Sequence, residues 1–355
     1  MKPISDQYDG IERLLEFDFV RACENAALNA LQWLGRGEKE LADAAACDAI
    51  RGMFDNMDIC AEVVIGEGIK DNAPGIFKGE HLGSWLPNTT RFEVALDPID
   101  GTTNIAKGAP NSISCIAAAI PQEHTRSALK DIPAFYMKKL AYGPEVVRHT
   151  LRNAGTLSVK LTQPIAANIE AVAEILKKRV QDVVVLVMDR PRHEGLVKEI
   201  RATGAALRMV GDGDIAAAIA PSIPDSGVDL FAGVGGSPEA VLASAALKCL
   251  GGDMQSQMAP RDAEERQSLL ASGCANELEK VFHADDLASG PNIIFCATGI
   301  SDSPMLRGAM IRRGRAITHS VLMRAKTHSL RYIETHHDMS TKAVPLRSTN
   351  RKPAP

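Results

Sequence analysis

Apolar residues recur at helical spacing through residues 9–35, where IERLLEFDFVRACENAALNALQWLG ends at Gly35 and Gly37, a helix followed by a stop. A second helix is predicted over EKELADAAACDAIRGMF, with Leu41, Ala44, Ala45, Ile50, Met53 and Phe54 marking its buried face. The period then shortens to that of a strand. AEVVI (61–65) is a β-branched run, and in RFEVAL the residues Phe92, Val94 and Leu96 alternate with Arg91, Glu93 and Ala95. Pro98 has no N–H for a ladder, so this strand is expected to stop there. SISCIAAAI (112–120) reads as a third, buried strand.

Beyond residue 162 the grammar is that of an α/β protein. A helix near 165–179 leads to a strand at 182–189. A helix at 193–204, a strand at 207–210, a helix after Gly213, a strand at 228–234 and a helix at 238–250 follow. Near-continuous Val/Leu runs are what strands covered on both faces require. A charged helical segment (261–288), a strand at 292–299 and two alternating strands, RAITHSVLMRAK and HSLRYIETHH, close the folded part. The 355 residues, 45% of them hydrophobic, suit about two domains. They are expected at 1–155 and 156–337, with a polar, basic tail at 338–355 expected to be disordered.

Composition narrows the choice of partners. A net charge of −4 gives no general attraction to nucleic acid or anionic membrane, so an anionic ligand must be met locally. No run approaches the roughly 18 apolar residues of a membrane span, and the first residues are charged, so a cytoplasmic protein is expected. The seven cysteines are scattered, with no CxxC pair, and read as small core residues.

The chemistry lies in acids at element ends. In LDPIDGTT, Asp97 and Asp100 stand at a strand mouth before Gly101 and Thr102. Such hard oxygen donors suit Mg²⁺ or Mn²⁺, and an Asx-type turn is the plain structural alternative. Glu67 sits between Gly66 and Gly68 after AEVVI, while Asp43, in the first turn of the second helix, and Glu239, after GVGGSP, suit either the helix dipole or a metal. If these five acids gather, their repulsion calls for divalent cations; with no His or Cys in the set, zinc is excluded. Three strand-to-helix turns, DRPRH, GDGD and GVGGSPE, offer N–H groups to an anion, with Arg190 and Arg192 as a cationic pair fit equally for phosphate or for solvent. Tyr136 with Lys138 and Lys139 reads more readily as an exposed basic face than as a phosphate clamp, and His193 is expected at the surface. Together these features suggest metal-assisted hydrolysis of a phosphate ester, with Thr102 orienting water and Asp43 taking its proton. No Walker loop, Ser-His-Asp order or CxxxxxR motif supports a covalent or kinase scheme.

IGEG with DPIDGT resembles the lithium-sensitive, metal-dependent phosphatase superfamily. The strings WLGRGEKELAD, MDRPRHEGLVKEIRATGA, GDGDIAAAI, GVGGSPEAVLASAALKCLGGDMQ and FCATGI resemble the class II fructose-1,6-bisphosphatases, including the dual fructose/sedoheptulose enzymes. The resemblance implies an α/β/α/β/α layered sandwich, hydrolysis of the 1-phosphate of a sugar bisphosphate, and a homo-oligomer, dimer or tetramer. It also implies residue roles. Asp43, Glu67, Asp97, Asp100 and Glu239 would bind metal, Lys39 would stand near the cleaved phosphate, and Thr102 would align water. Asp100, Gly101, Thr102, Tyr136, Arg190, Pro191, Arg192, Asp212, Gly213, Asp214 and Gly236 would hold the sugar and its distal phosphate. Two departures stand out: Ile69 replaces a second acid after Glu67, and Asp100 stands where many relatives have Glu. An inositol or nucleotide phosphatase and a non-catalytic sugar-phosphate sensor are the competing readings.

Overall fold

A computed structural model describes residues 12–66, 76–121 and 127–350. The chain forms two units, one made of 1–129 with 289–355 and the other of 130–288. In chain order the strands are β1 (Ile59–Ile65), β2 (His81–Leu82), β3 (Thr90–Asp100), β4 (Ile113–Ala119) and β5 (Tyr136–Tyr142). There follow β6 (Val184–Met188), β7 (Ala206–Val210), β8 (Leu230–Gly236) and β9 (Asp253–Met258). The last four are β10 (Ile293–Gly299), β11 (Met310–Arg312), β12 (Arg315–Arg324) and β13 (Ser329–Asp338).

The first unit holds a sheet of order β11-β12-β10-β4-β3-β1-β2, with β13 on β12. β1 and β3 run parallel, and the other pairs are antiparallel. Helices Glu12–Ala30 and Lys39–Phe54 pack on this sheet, and Phe19 joins them to it, its ring centroid 6.0 Å from Phe54 and 5.5 Å from Phe92. Leu41, expected inside, is exposed; Ala42, Ala46, Cys47, Ala49, Ile50, Gly52 and Phe54 form the inner face. β3 does not stop at Pro98. It runs on to Asp100 through a one-residue register slip, Asp97 facing Cys115 and Asp100 facing Ile113. A bulge leaves a residue out of the ladder, which is where a proline's missing N–H is tolerated.

The second unit is a five-stranded sheet of order β7-β6-β8-β5-β9, parallel at β7-β6-β8 and antiparallel beyond. One face builds a core from Leu140, Tyr142, Val185, Val187, Leu230 and Ala232 against Val146, Ile169, Val172 and Ile200. Helices Asp214–Ile219 and Ser237–Leu250 also pack on the sheet, and the second is buried almost all round, as its Ala-rich sequence demands.

Two sequence expectations need correction. The boundary at residue 155 does not coincide with the division at 129/130 and 288/289, because β5 belongs to the second sheet while β10–β13 return to the first. The tail is not loose throughout: Arg347 and Ser348 are hydrogen-bonded to Asp55, Glu80 and Asp48. The α/β class stands, all seven cysteines are free with six buried, and among the described residues no helix is long and apolar enough to cross a membrane.

Candidate active site

The bulged end of β3 sets the first part of the site. Asp97 is 9% and Asp100 3% exposed. Asp97 Oδ1 accepts the amide of Ile99 at 3.0 Å, so the Asx turn expected as the plain alternative does form and fixes this carboxylate's orientation. Negative charge concentrates here: burial first, then Asp97 and Asp100, push the facing Cys115 thiol well above its ordinary pKa.

Gly101 then turns the chain at φ +95°, where a Cβ would stand 2.5 Å from Asn111 O; no side chain fits. Its carbonyl accepts Ser112 Oγ at 2.8 Å and the amides of Asn104 and Ile105 at 3.0 and 3.2 Å, so helix Thr102–Lys107 starts at a fixed point with Thr102 half-buried. The loop before the Asp43 helix is bolted to this short helix by the amides of Gly35 and Gly37 on the carbonyls of Ile105 and Ala106, at 2.7 and 3.0 Å. Asp43 is half-buried. Lys39 is exposed beside Glu40 at 3.6 Å, a pairing of little energetic weight. Glu67 and Ile69 lie outside the described residues.

In the second unit the turns are tightly organised. Arg190 donates to Gly211 O and Asp212 Oδ1, both at 2.5 Å. Arg192 donates through Nε and Nη2 to Val234 O at 2.9 and 2.8 Å, which lays its guanidinium 4.8 Å over the Tyr136 ring. Tyr136 meets Phe135 edge-on at 4.7 Å, and Arg261 covers Phe135 at 4.4 Å. Tyr136, Lys138 and Lys139 form neither a shared clamp nor a continuous exposed basic face. Strand alternation sends Lys139 to the face opposite Lys138, where it is fully buried and paired with Asp214 at the start of helix Asp214–Ile219. A Cβ on Gly235 would stand 1.9 Å from Asp214 Oδ2 and one on Gly236 1.9 Å from Glu239 Oε2, so both glycines of GVGGSPE make room for carboxylates.

His193, expected at the surface, is 2% exposed. Its Nε2 accepts the Val234 amide at 2.8 Å, so Nδ1 carries the proton and donates to Met188 O at 2.7 Å. Burial holds its pKa below the ordinary value, which keeps the ring neutral as a brace between β6 and β8. The sequence offered one signal for it, Gly233, whose absent Cβ would lie 3.1 Å from the imidazole.

Of the five acids, Asp43, Asp97 and Asp100 belong to the first unit with Glu67, and Glu239 belongs to the second. Among the described residues no three His, Cys, Asp or Glu are grouped to hold a metal ion. The first unit thus holds buried carboxylates at a bulged strand end and the second holds arginines hydrogen-bonded at strand-to-helix turns, within an α/β protein. A family profile described as bacterial fructose-1,6-bisphosphatase, glpX-encoded, matches residues 13–337, and the chain belongs to that family. It is 37% identical over 338 residues to a "Fructose-1,6-bisphosphatase class 2" of Haemophilus influenzae, covering 92% of this chain and 97% of the relative. It is 32% identical over 349 residues to a "D-fructose 1,6-bisphosphatase class 2/sedoheptulose 1,7-bisphosphatase" of Gloeobacter violaceus (92% and 96% covered). It is 34% identical over 343 residues to a "Fructose-1,6-bisphosphatase 1 class 2" of Escherichia coli (94% and 97%).

Proposed function

We propose that this chain hydrolyses the 1-phosphate of fructose 1,6-bisphosphate, water and the bisphosphate giving fructose 6-phosphate and inorganic phosphate. The observation that carries this reading is the pair of nearly buried carboxylates, Asp97 and Asp100, directly before Thr102, in a chain whose relatives bear the name of that activity. Hard oxygen donors without imidazole or thiolate fit Mg²⁺ or Mn²⁺, held by Asp43, Glu67, Asp97, Asp100 and Glu239. When bound, such a cation polarises the phosphoryl group and acidifies water. Thr102 Oγ1 orients the attacking water, Asp43 accepts its proton, and Lys39 meets the departing phosphate.

Tyr136, Arg190, Pro191, Arg192, Asp212, Gly213 and Gly236 hold the sugar and its distal phosphate. The two guanidiniums are already fixed by Gly211, Asp212 and Val234, which lowers the ordering cost of binding. Asp214 is engaged by Lys139, so its part is to shape the turn that follows Gly213. The name of the Gloeobacter violaceus relative favours sedoheptulose 1,7-bisphosphate as a second substrate. Phosphate release from a panel of sugar bisphosphates and inositol monophosphate, with each metal, tests the reading. Fructose 1,6-bisphosphate is expected to react fastest; preference for the inositol ester would overturn the assignment.

A further inference from the structure

Residues 345–348 lie past the stretch that matches the family, 13–337, and by sequence they read as a polar tail. The structure seats them on the helix Lys39–Phe54. Gly52 leaves the space in which Pro345 crosses that helix: a Cβ there would stand 2.2 Å from Pro345 O and 2.8 Å from Arg347 N. At the helix end Arg347 makes a two-pronged contact with Asp55, Nε to Oδ2 at 2.9 Å and Nη2 to Oδ1 at 2.5 Å. Its Nη1 reaches Glu80 Oε1 at 3.2 Å. The Ser348 amide and hydroxyl both donate to Asp48, at 2.9 and 2.5 Å.

Glu80 is a branching point. Arg51, on the same helix, grips it through Nε and Nη2 at 2.7 Å each, and the Glu80 side chain is only 10% exposed, so these are not loose surface pairs. The Glu80 carbonyl in turn accepts the Val63 amide at 3.0 Å in the middle of β1, and β1 runs parallel to β3. Arg347 therefore adds a second guanidinium, beside that of Arg51, to the tie between the helix bearing Asp43 and the sheet whose next strand ends in Asp97 and Asp100. Without it, Asp55 loses its two-pronged partner and Arg51 alone joins the helix to Glu80.

We propose that Arg347, assisted by Ser348, is a positioning residue for the divalent-cation site: the C-terminal clasp fixes the Asp43 helix against the sheet. The proposal rests on the reading of Asp43 as a metal-binding residue. The test is a titration of the substrate-free protein with Mn²⁺, free ion being read by its paramagnetic resonance signal, well below the unfolding temperature. In Arg347→Gln, and in a chain ending at Val344, the midpoint is expected to rise about tenfold, the low end of what losing a ligand's support costs. Arg347→Lys, which keeps charge but not the fork, is expected to fall between these and wild type. The rate at saturating Mn²⁺ should stay within about twofold of wild type, a separation that a merely stabilising contact would not produce. A midpoint in Arg347→Gln within about twofold of wild type overturns the proposal, and the point variant decides the matter if the shortened chain does not fold. Phosphate release by wild type with an unshifted Arg347→Gln midpoint would remove the clasp alone. A shifted midpoint in a chain that releases no phosphate would remove the proposed activity and leave the clasp.

Discussion

Lys139 and His193 are both buried in the second unit, and neither reads as such in the sequence. Lys139 is buried without access to water, and among the described residues its charge is met there by the Asp214 carboxylate. Lys139→Met leaves that carboxylate without its cation and should cost about 3 kcal/mol in urea unfolding, much of it recovered in Lys139→Met/Asp214→Leu. Gly235→Ala should cost about 2 kcal/mol, because the Asp214 oxygen in its way is held by Lys139 and cannot swing clear. His193 gives a pH signature. Its folded pKa lies below that of a free imidazole, so at neutral pH neither state carries the proton and the brace contributes fully. As pH falls below about 6.5, the unfolded chain takes up a proton that the folded ring refuses, and stability drops. Thermal unfolding between pH 7.5 and 5.5 should therefore show a steeper decline in wild type than in His193→Gln.

At the scale of elements, the strands that were legible were those with β-branched runs or strict alternation, such as 61–65 in β1 and the pair β12–β13. β9, DMQSQM, escaped notice because Met, Gln and Ser carry little strand preference; it is made by pairing with β5 and by Gln255, which bonds Leu161 N, Val159 O and the Tyr142 hydroxyl. The strand-end acids were legible as well, but Pro98 was misleading because proline reports a lost donor and not whether a bulge absorbs the loss. The turn after that bulge is the element on which the proposed chemistry depends. Gly101→Ala puts a Cβ against the Asn111 carbonyl at a left-handed φ, and should cost about 3 kcal/mol. Displacing Thr102 by even about 1 Å should also slow phosphate release about a hundredfold, measurable in the surviving folded fraction.

For the whole molecule, the division into units was the least legible feature. The first unit is discontinuous, since β10 returns after residue 288 to pair with β4, and local periodicity carries no mark of a pairing across some 170 residues of chain. Residues 150–162 are polar and irregular in sequence, but in the structure they lie inside the second unit, from the end of helix Pro144–Arg152 to the approach to helix Ile165–Leu176. A fragment of 130–288, which keeps the whole β7-β6-β8-β5-β9 sheet and its core, should fold with a cooperative transition by circular dichroism. A fragment of 156–337 lacks β5, the strand joining β8 to β9, and should not. The metal-dependent activity is tested most directly by phosphate release from fructose 1,6-bisphosphate after chelation and after adding back Mg²⁺ or Mn²⁺, in wild type and Asp97→Asn. Release is expected only with the cation, and about a thousandfold slower or worse in Asp97→Asn with an unchanged circular dichroism spectrum. Release that persists without any divalent ion, or an Asp97→Asn chain as fast as wild type, would contradict the account.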